Sequence, residues 1–225
     1  MCAYRRVQAI ICLLLLDTYD AGEGLTSAGG SDKINGGKSA GNSKSEDISN
    51  IPKNVGTVDF SDKNAVNNVL SSYQKEWKNL DYEMDCTITS DGRIWITKGS
   101  SGAVHPELIE TIENGCSLKG SYSYHNHPAK ETNYSLSGED AGFFCHYNCE
   151  YSKASDNKFE YYIRRTDITE DMSYIDVMSK FNSIYRNDIL QYTMDNNIDI
   201  DYHGYHLTMQ RLSKELGFEY ERKEL

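Results

Sequence analysis

One short run near the middle of the chain constrains the fold more than any other. Ser121 to His125 reads as a strand, and it runs into His125-Asn126-His127-Pro128. Ser137-Gly138-Glu139-Asp140 follows and reads as the opening of a helix, with serine as N-cap and an acid three residues on. The strand has to stop at the proline, which cannot donate to a ladder, and a short loop must then deliver the chain to a helix start. On an extended strand His125 and His127 point to the same face. A carboxylate in the first helical turn is favoured by the helix dipole. Two imidazoles and a carboxylate at such a junction make a candidate divalent-metal site, since three protein ligands and an open position are the usual way to hold a reactive zinc ion.

Elsewhere the pattern alternates between helical and extended periods. Val66, Val69, Leu70, Tyr73, Trp77 and Leu80 recur at helical spacing behind Asp62, a suitable N-cap. Tyr82 to Thr89 and Arg93 to Lys98 are strands joined through Ser90-Asp91-Gly92, a hairpin signal. Pro106 to Asn114 reads as a short helix with Gly115 past its end. Ser137 to Cys149 opens as a helix and Phe159 to Arg164 as a strand. Residues 173–194 and 205–216 are helical, the latter stopped by Gly217. This order predicts an α/β (α+β) domain, a mixed β-sheet flanked by helices, with a C-terminal helical extension from about residue 168.

The N-terminal part is different. Arg5 and Arg6 precede an apolar stretch from Val7 to Leu16, too short to span a bilayer comfortably and suited to the core of a signal peptide over 1–21. From Gly22 to Lys44, 11 of 23 residues are Gly or Ser, so 22–54 reads as a flexible linker and the folded domain as 55–225. The chain is expected to be exported or secreted if that leader operates and cytoplasmic otherwise, with no stable membrane insertion after leader removal. Cys86, Cys116, Cys145 and Cys149 lie outside the leader, compatible with two disulfides after export or with free thiols. A net charge of −11 disfavours nucleic acid as a partner. Cys145 and Cys149, four apart on a helix, read as core, and His105, His203 and His206 as capping or surface residues.

The glutamate-to-aspartate set resembles the JAMM (JAB1/MPN/Mov34) metalloprotease motif: a glutamate upstream of His-x-His-Pro, then Ser-x-x-Asp. The His-Asn-His-Pro form resembles that of its bacterial RadC-like and toxin-associated JAB branches. The resemblance covers roughly residues 80–165 and implies a JAB/MPN-like, cytidine-deaminase-like architecture. It implies one Zn²⁺ per chain held by His125, His127 and Asp140, with Glu83, 42 residues before His125, as general base and Ser137 as hydrogen-bond donor to the developing oxyanion. Asp85, two residues on and on the same strand face, is the alternative base. Nine residues separate His127 from Ser137, two more than the family's usual spacing; the motif tolerates the extra length over Ala129 to Leu136 if that loop bulges to solvent, and the placement of Ser137 depends on it.

The activity implied is a zinc metallopeptidase or isopeptidase acting on a protein or peptide substrate through metal-activated water. A non-catalytic binding module on the same fold and a metal-dependent nuclease or phosphoesterase are the competing readings. The completeness of the five-residue set weighs against the first and the acidic charge against the second. Substrate identity, cysteine pairing and oligomeric state have no readable code in the sequence.

Overall fold

A computed structural model describes residues 51–99, 103–112, 116–128 and 132–225. The expected leader and nearly all of the expected linker lie outside the described residues. In chain order the elements are β1 (Lys53–Thr57), α1 (Lys63–Trp77), β2 (Met84–Ile88) and β3 (Arg93–Lys98). A 3₁₀ turn (Pro106–Leu108) runs into α2 (Ile109–Ile112), followed by β4 (Tyr122–Asn126), α3 (Gly138–His146), β5 (Tyr151–Ser155) and β6 (Phe159–Arg164). The chain ends with α4 (Tyr174–Ile184), a π-helical turn (Tyr185–Ile189), α5 (Leu190–Asp195), α6 (Ile200–Leu216) and β7 (Glu219–Glu224).

The strands form one seven-stranded mixed sheet in the order β1-β3-β2-β4-β5-β6-β7. All neighbours are antiparallel except β4 and β5, which run parallel. A parallel pair cannot be closed by a tight turn, so the chain between them crosses over through the loop after Pro128 and α3. The expected mixed sheet flanked by helices is therefore what forms.

Local chemistry explains the boundaries. Asp62 Oδ1 accepts from the N–H groups of Asn64 and Ala65 and starts α1, which turns Val66, Leu70 and Trp77 inward. The β2–β3 turn needs Gly92, whose φ of 85° is left-handed and where a Cβ would lie 2.3 Å from the carbonyl oxygen of Val58. Gly217, at φ 75°, ends α6. That helix starts earlier than its apolar spacing indicates because Asp199 caps Asp201 and Tyr202.

The helices divide between the two sheet faces. Helix α1 covers Cys86, Ile88, Ile94 and Tyr124 from one side. On the other side α3, α4 and α6 pack Phe144, Val177, Phe181, Met209 and Leu212 against Ala154, Tyr161 and Ile163. Next to them Trp95, Ile109, Cys116 and Leu118 form a smaller cluster that Phe143 and Tyr147 of α3 join.

Three strands have no clear sequence signal: β1, β5 and β7. Strand β7 reads Glu-Tyr-Glu-Arg-Lys-Glu and is an edge strand whose charges protect it from pairing with other chains. Strand β5 (Tyr-Ser-Lys-Ala-Ser) lacks the apolar alternation that marks β6.

Candidate metal centre

The site forms at the carboxyl end of β4, where the parallel pair begins its crossover. Strand alternation sends His125 to the face covered by α3, and His127 follows on that side. The backbone N–H of His127 donates to Ser155 O (2.8 Å), holding the chain beside β5 for one residue beyond Asn126. Asp140 approaches from the first turn of α3. His125 Nε2 lies 3.0 Å from His127 Nε2 and 3.2 Å from Asp140 Oδ1, and His127 Nε2 lies 4.0 Å from Asp140 Oδ2. One ligand atom from each of the three residues falls within 4.8 Å of the others, and this is the one such cluster of three or more among the described residues.

These separations fit a small divalent ion. Zinc–nitrogen and zinc–oxygen bonds of about 2.0–2.1 Å place two tetrahedral ligand atoms about 3.3 Å apart. All three side chains are largely withdrawn from water, with exposures of 8, 11 and 18%. The cluster as it stands also needs a cation. Burial pushes His125 down, but Asp140, then Glu83 and Asp85, outweigh it and bring the imidazole up to about 9. Burial and the charge of His125 press His127 down to about 4. Asp140 is held well below the usual carboxylate range, since the two histidines and the Ser137 N–H outweigh its burial. Without a metal, a single imidazolium compensates the carboxylate.

Ser137 serves this cluster through Asp140. Its Oγ accepts from Asp140 N (3.2 Å) and donates to Asp140 Oδ2 (2.8 Å), while its backbone N–H donates to the same oxygen (2.7 Å). The reciprocal helix cap thus aims the carboxylate at the histidines. The hydroxyl expected to face a substrate oxygen donates to Asp140 here.

The lengthened loop does not bulge to solvent where it is described. Thr132 Oγ1 donates to Asp156 (2.6 Å), Ser135 Oγ shares a hydrogen with Tyr220 OH (2.8 Å), and Arg222 Nη1 donates to Tyr134 O (3.0 Å). Leu136 is fully buried. Residues of β7 therefore hold the loop inward, a contact no local pattern announces. Asp156 also accepts from Tyr161 OH, and the Tyr161 ring lies 5.8 Å from that of His127, so β6 braces the second ligand.

Glu83 sits immediately before β2 and is half-buried. Its charge is felt by both His125 and His105. Its carbonyl accepts from Gly99 N (2.8 Å), one step beyond the β2–β3 ladder. Asp85 pairs directly with His125 across β2 and β4, is 2% exposed, and accepts from Thr87 Oγ1 (2.6 Å). Burial pushes its carboxyl up to about 7. Glu83 has the more open position of the two.

The remaining candidates stay outside the centre. His105 Nδ1 pairs with Glu107 (2.9 Å), which raises it from its ordinary value. His206 bonds Tyr220 and His203 lies against Arg222. Cys86, Cys116, Cys145 and Cys149 are buried, and burial pushes the Cys145 and Cys149 thiols up to about 12, away from thiolate chemistry. Among the described residues no helix is long and apolar enough to cross a membrane. Compared with protein-family models, curated proteins and solved structures, the chain matches none of them.

Proposed function

We propose that this chain is a zinc-dependent hydrolase of peptide or isopeptide bonds, of the JAMM kind and with a JAB/MPN-like fold. The observation that carries the reading is the convergence of His125, His127 and Asp140 at one strand end, within electrostatic reach of the half-buried Glu83. Two imidazoles and one carboxylate suit zinc and leave room for a further ligand. When bound, the ion would supply Lewis acidity and a water activated near neutral pH.

The chain's own residues would do the rest. His125 and His127 present Nε2 as neutral donors once the His125 proton has left, and Tyr161 keeps the second ring in place. Ser137 fixes the orientation of Asp140. Glu83, whose charge is felt by His125, would take a proton from attacking water and pass it to the leaving amine. The Ser137 hydroxyl is tied to Asp140 by the helix cap, so a direct attack by water is favoured over a covalent route.

Metal analysis of the protein is the first test. One zinc per chain is expected, with stoichiometry falling to none in His127→Ala and Asp140→Ala; full occupancy in either variant would remove that ligand. Glu83→Gln should keep the zinc and lose hydrolysis of a peptide and isopeptide panel. Unchanged turnover would move the base to Asp85.

A further inference from the structure

The residue between the two histidines has no place in the metal set. Strand alternation turns Asn126 away from the face that His125 and His127 share. It is nonetheless 2% exposed, and both ends of its amide are used. Oδ1 accepts from Met84 N (2.8 Å) and Nδ2 donates to Tyr82 O (2.9 Å). Those two backbone groups belong to the residues on either side of Glu83.

The register explains why a side chain does this. Strands β2 and β4 pair from Ile88 with Tyr122 to Asp85 with His125. The next pair in that register would be Met84 with Asn126, but the β2–β4 ladder ends at Asp85 and His125, and Met84 N donates to the Asn126 side chain. The Asn126 amide takes over where the backbone ladder stops. A carboxamide carries a donor and an acceptor, as a peptide group does, so it can occupy a ladder position. Gly99 N binds the carbonyl of Glu83 itself from the β3 side. The peptide units around Glu83 are thus held by three hydrogen bonds, two of them from one side chain.

We infer that Asn126 is a positioning residue for Glu83: its amide clamps the backbone on both sides of the base and sets that carboxylate against the metal centre. The inference rests on Glu83 acting as the base. Asn126 touches neither metal nor substrate in this role. A base displaced by about 1 Å loses on the order of 10²-fold in rate, while the ligands, on the opposite face, keep their arrangement.

Removing the amide separates the two functions. In the full chain loaded with zinc, Asn126→Ala should lower kcat by about 10²-fold with KM and zinc affinity little changed. Asn126→Asp retains an acceptor for Met84 N but no donor for Tyr82 O, and should fall between the two. Hydrogen exchange at the Met84 amide, which does not depend on turnover, should accelerate in the alanine variant and much less in the aspartate variant. If the wild-type protein hydrolyses peptides and the variants keep its kcat, the clamp has no bearing on the base and the inference fails while the hydrolase reading stands. A parallel loss of zinc affinity would place the action of Asn126 on the ligands and overturn it equally. A zinc-loaded wild type with no hydrolytic activity ends the reading and the inference together.

Discussion

The two faces of the central strands differ sharply although the same strands build both. Toward α1, strands β2, β3 and β4 send Cys86, Ile88, Ile94 and Tyr124, packed on Val66, Leu70 and Trp77. Toward α3, the same three strands send Asp85, Thr87, Thr97, Ser123 and His125, all buried. Register aligns these polar groups in rows: Thr97, Asp85 and His125 are neighbours across three strands, and the row runs on through Ala154 and Tyr161 to Arg222. Among the described residues, Thr97 Oγ1 and Trp95 Nε1 on this side find no hydrogen-bond partner. One face provides stability by burying apolar surface. The other gives some of it up to keep charged and polar groups out of water, where their electrostatics are strong.

That contrast can be broken from the apolar side first. Trp77 is 4% exposed and stacks on Tyr124 at a centroid distance of 6.0 Å. Trp77→Ala should cost about 3–5 kcal/mol in urea unfolding, with the zinc stoichiometry of the remaining folded protein unchanged. Loss of zinc from folded protein would mean that the faces are not independent.

Asp85 tests the polar side. Its carboxyl lies near 7 in the folded state, against about 3.9 in an unfolded chain. The folded state holds the proton more tightly, so this contribution to stability is complete below about pH 3.9 and is lost as pH rises through 7. Asparagine does not titrate. In metal-free protein, the stability of Asp85→Asn relative to wild type should therefore rise by on the order of 2–4 kcal/mol between pH 4 and pH 8. Urea midpoints at both pH values measure this, and a constant difference would show that the proton is not held there.

The smallest effect sharpens the description of the centre. At pH 7 the metal-free cluster carries a proton on His125, near 9, and none on His127, near 4. Zinc binding should then release about one proton, and apparent affinity should rise about tenfold per pH unit until pH 9. Calorimetry in two buffers of different ionisation enthalpy counts that proton. Zinc uptake without proton release would take His125 out of the ligand set.

The ligands were legible because local rules place them. Alternation on a strand, a proline stop and a helix cap bring His125, His127 and Asp140 to one junction without knowledge of the rest of the chain. Asn126 and Tyr161 were not legible in the same way. Their importance comes from cross-strand register, and register depends on which strands are neighbours. The seating of the loop was hidden for a related reason. Its length is visible in the sequence, but Tyr220 and Arg222, which pull it inward, lie on a strand so charged that it carries no strand pattern.

The attachment of that loop to β7 has a consequence for biogenesis. Ser135 and Tyr220 are 85 residues apart, and Tyr134 and Arg222 are 88 apart. At a translation rate of about 5–20 residues per second, roughly 4–18 s pass between synthesis of the loop and synthesis of its anchors. During that interval a growing chain already displays both histidines and the aspartate, but Tyr134 and Ser135 on the segment joining them still lack their β7 partners. The motif is translated early and seated late, so a ribosome-bound chain carries the metal ligands without the completed centre.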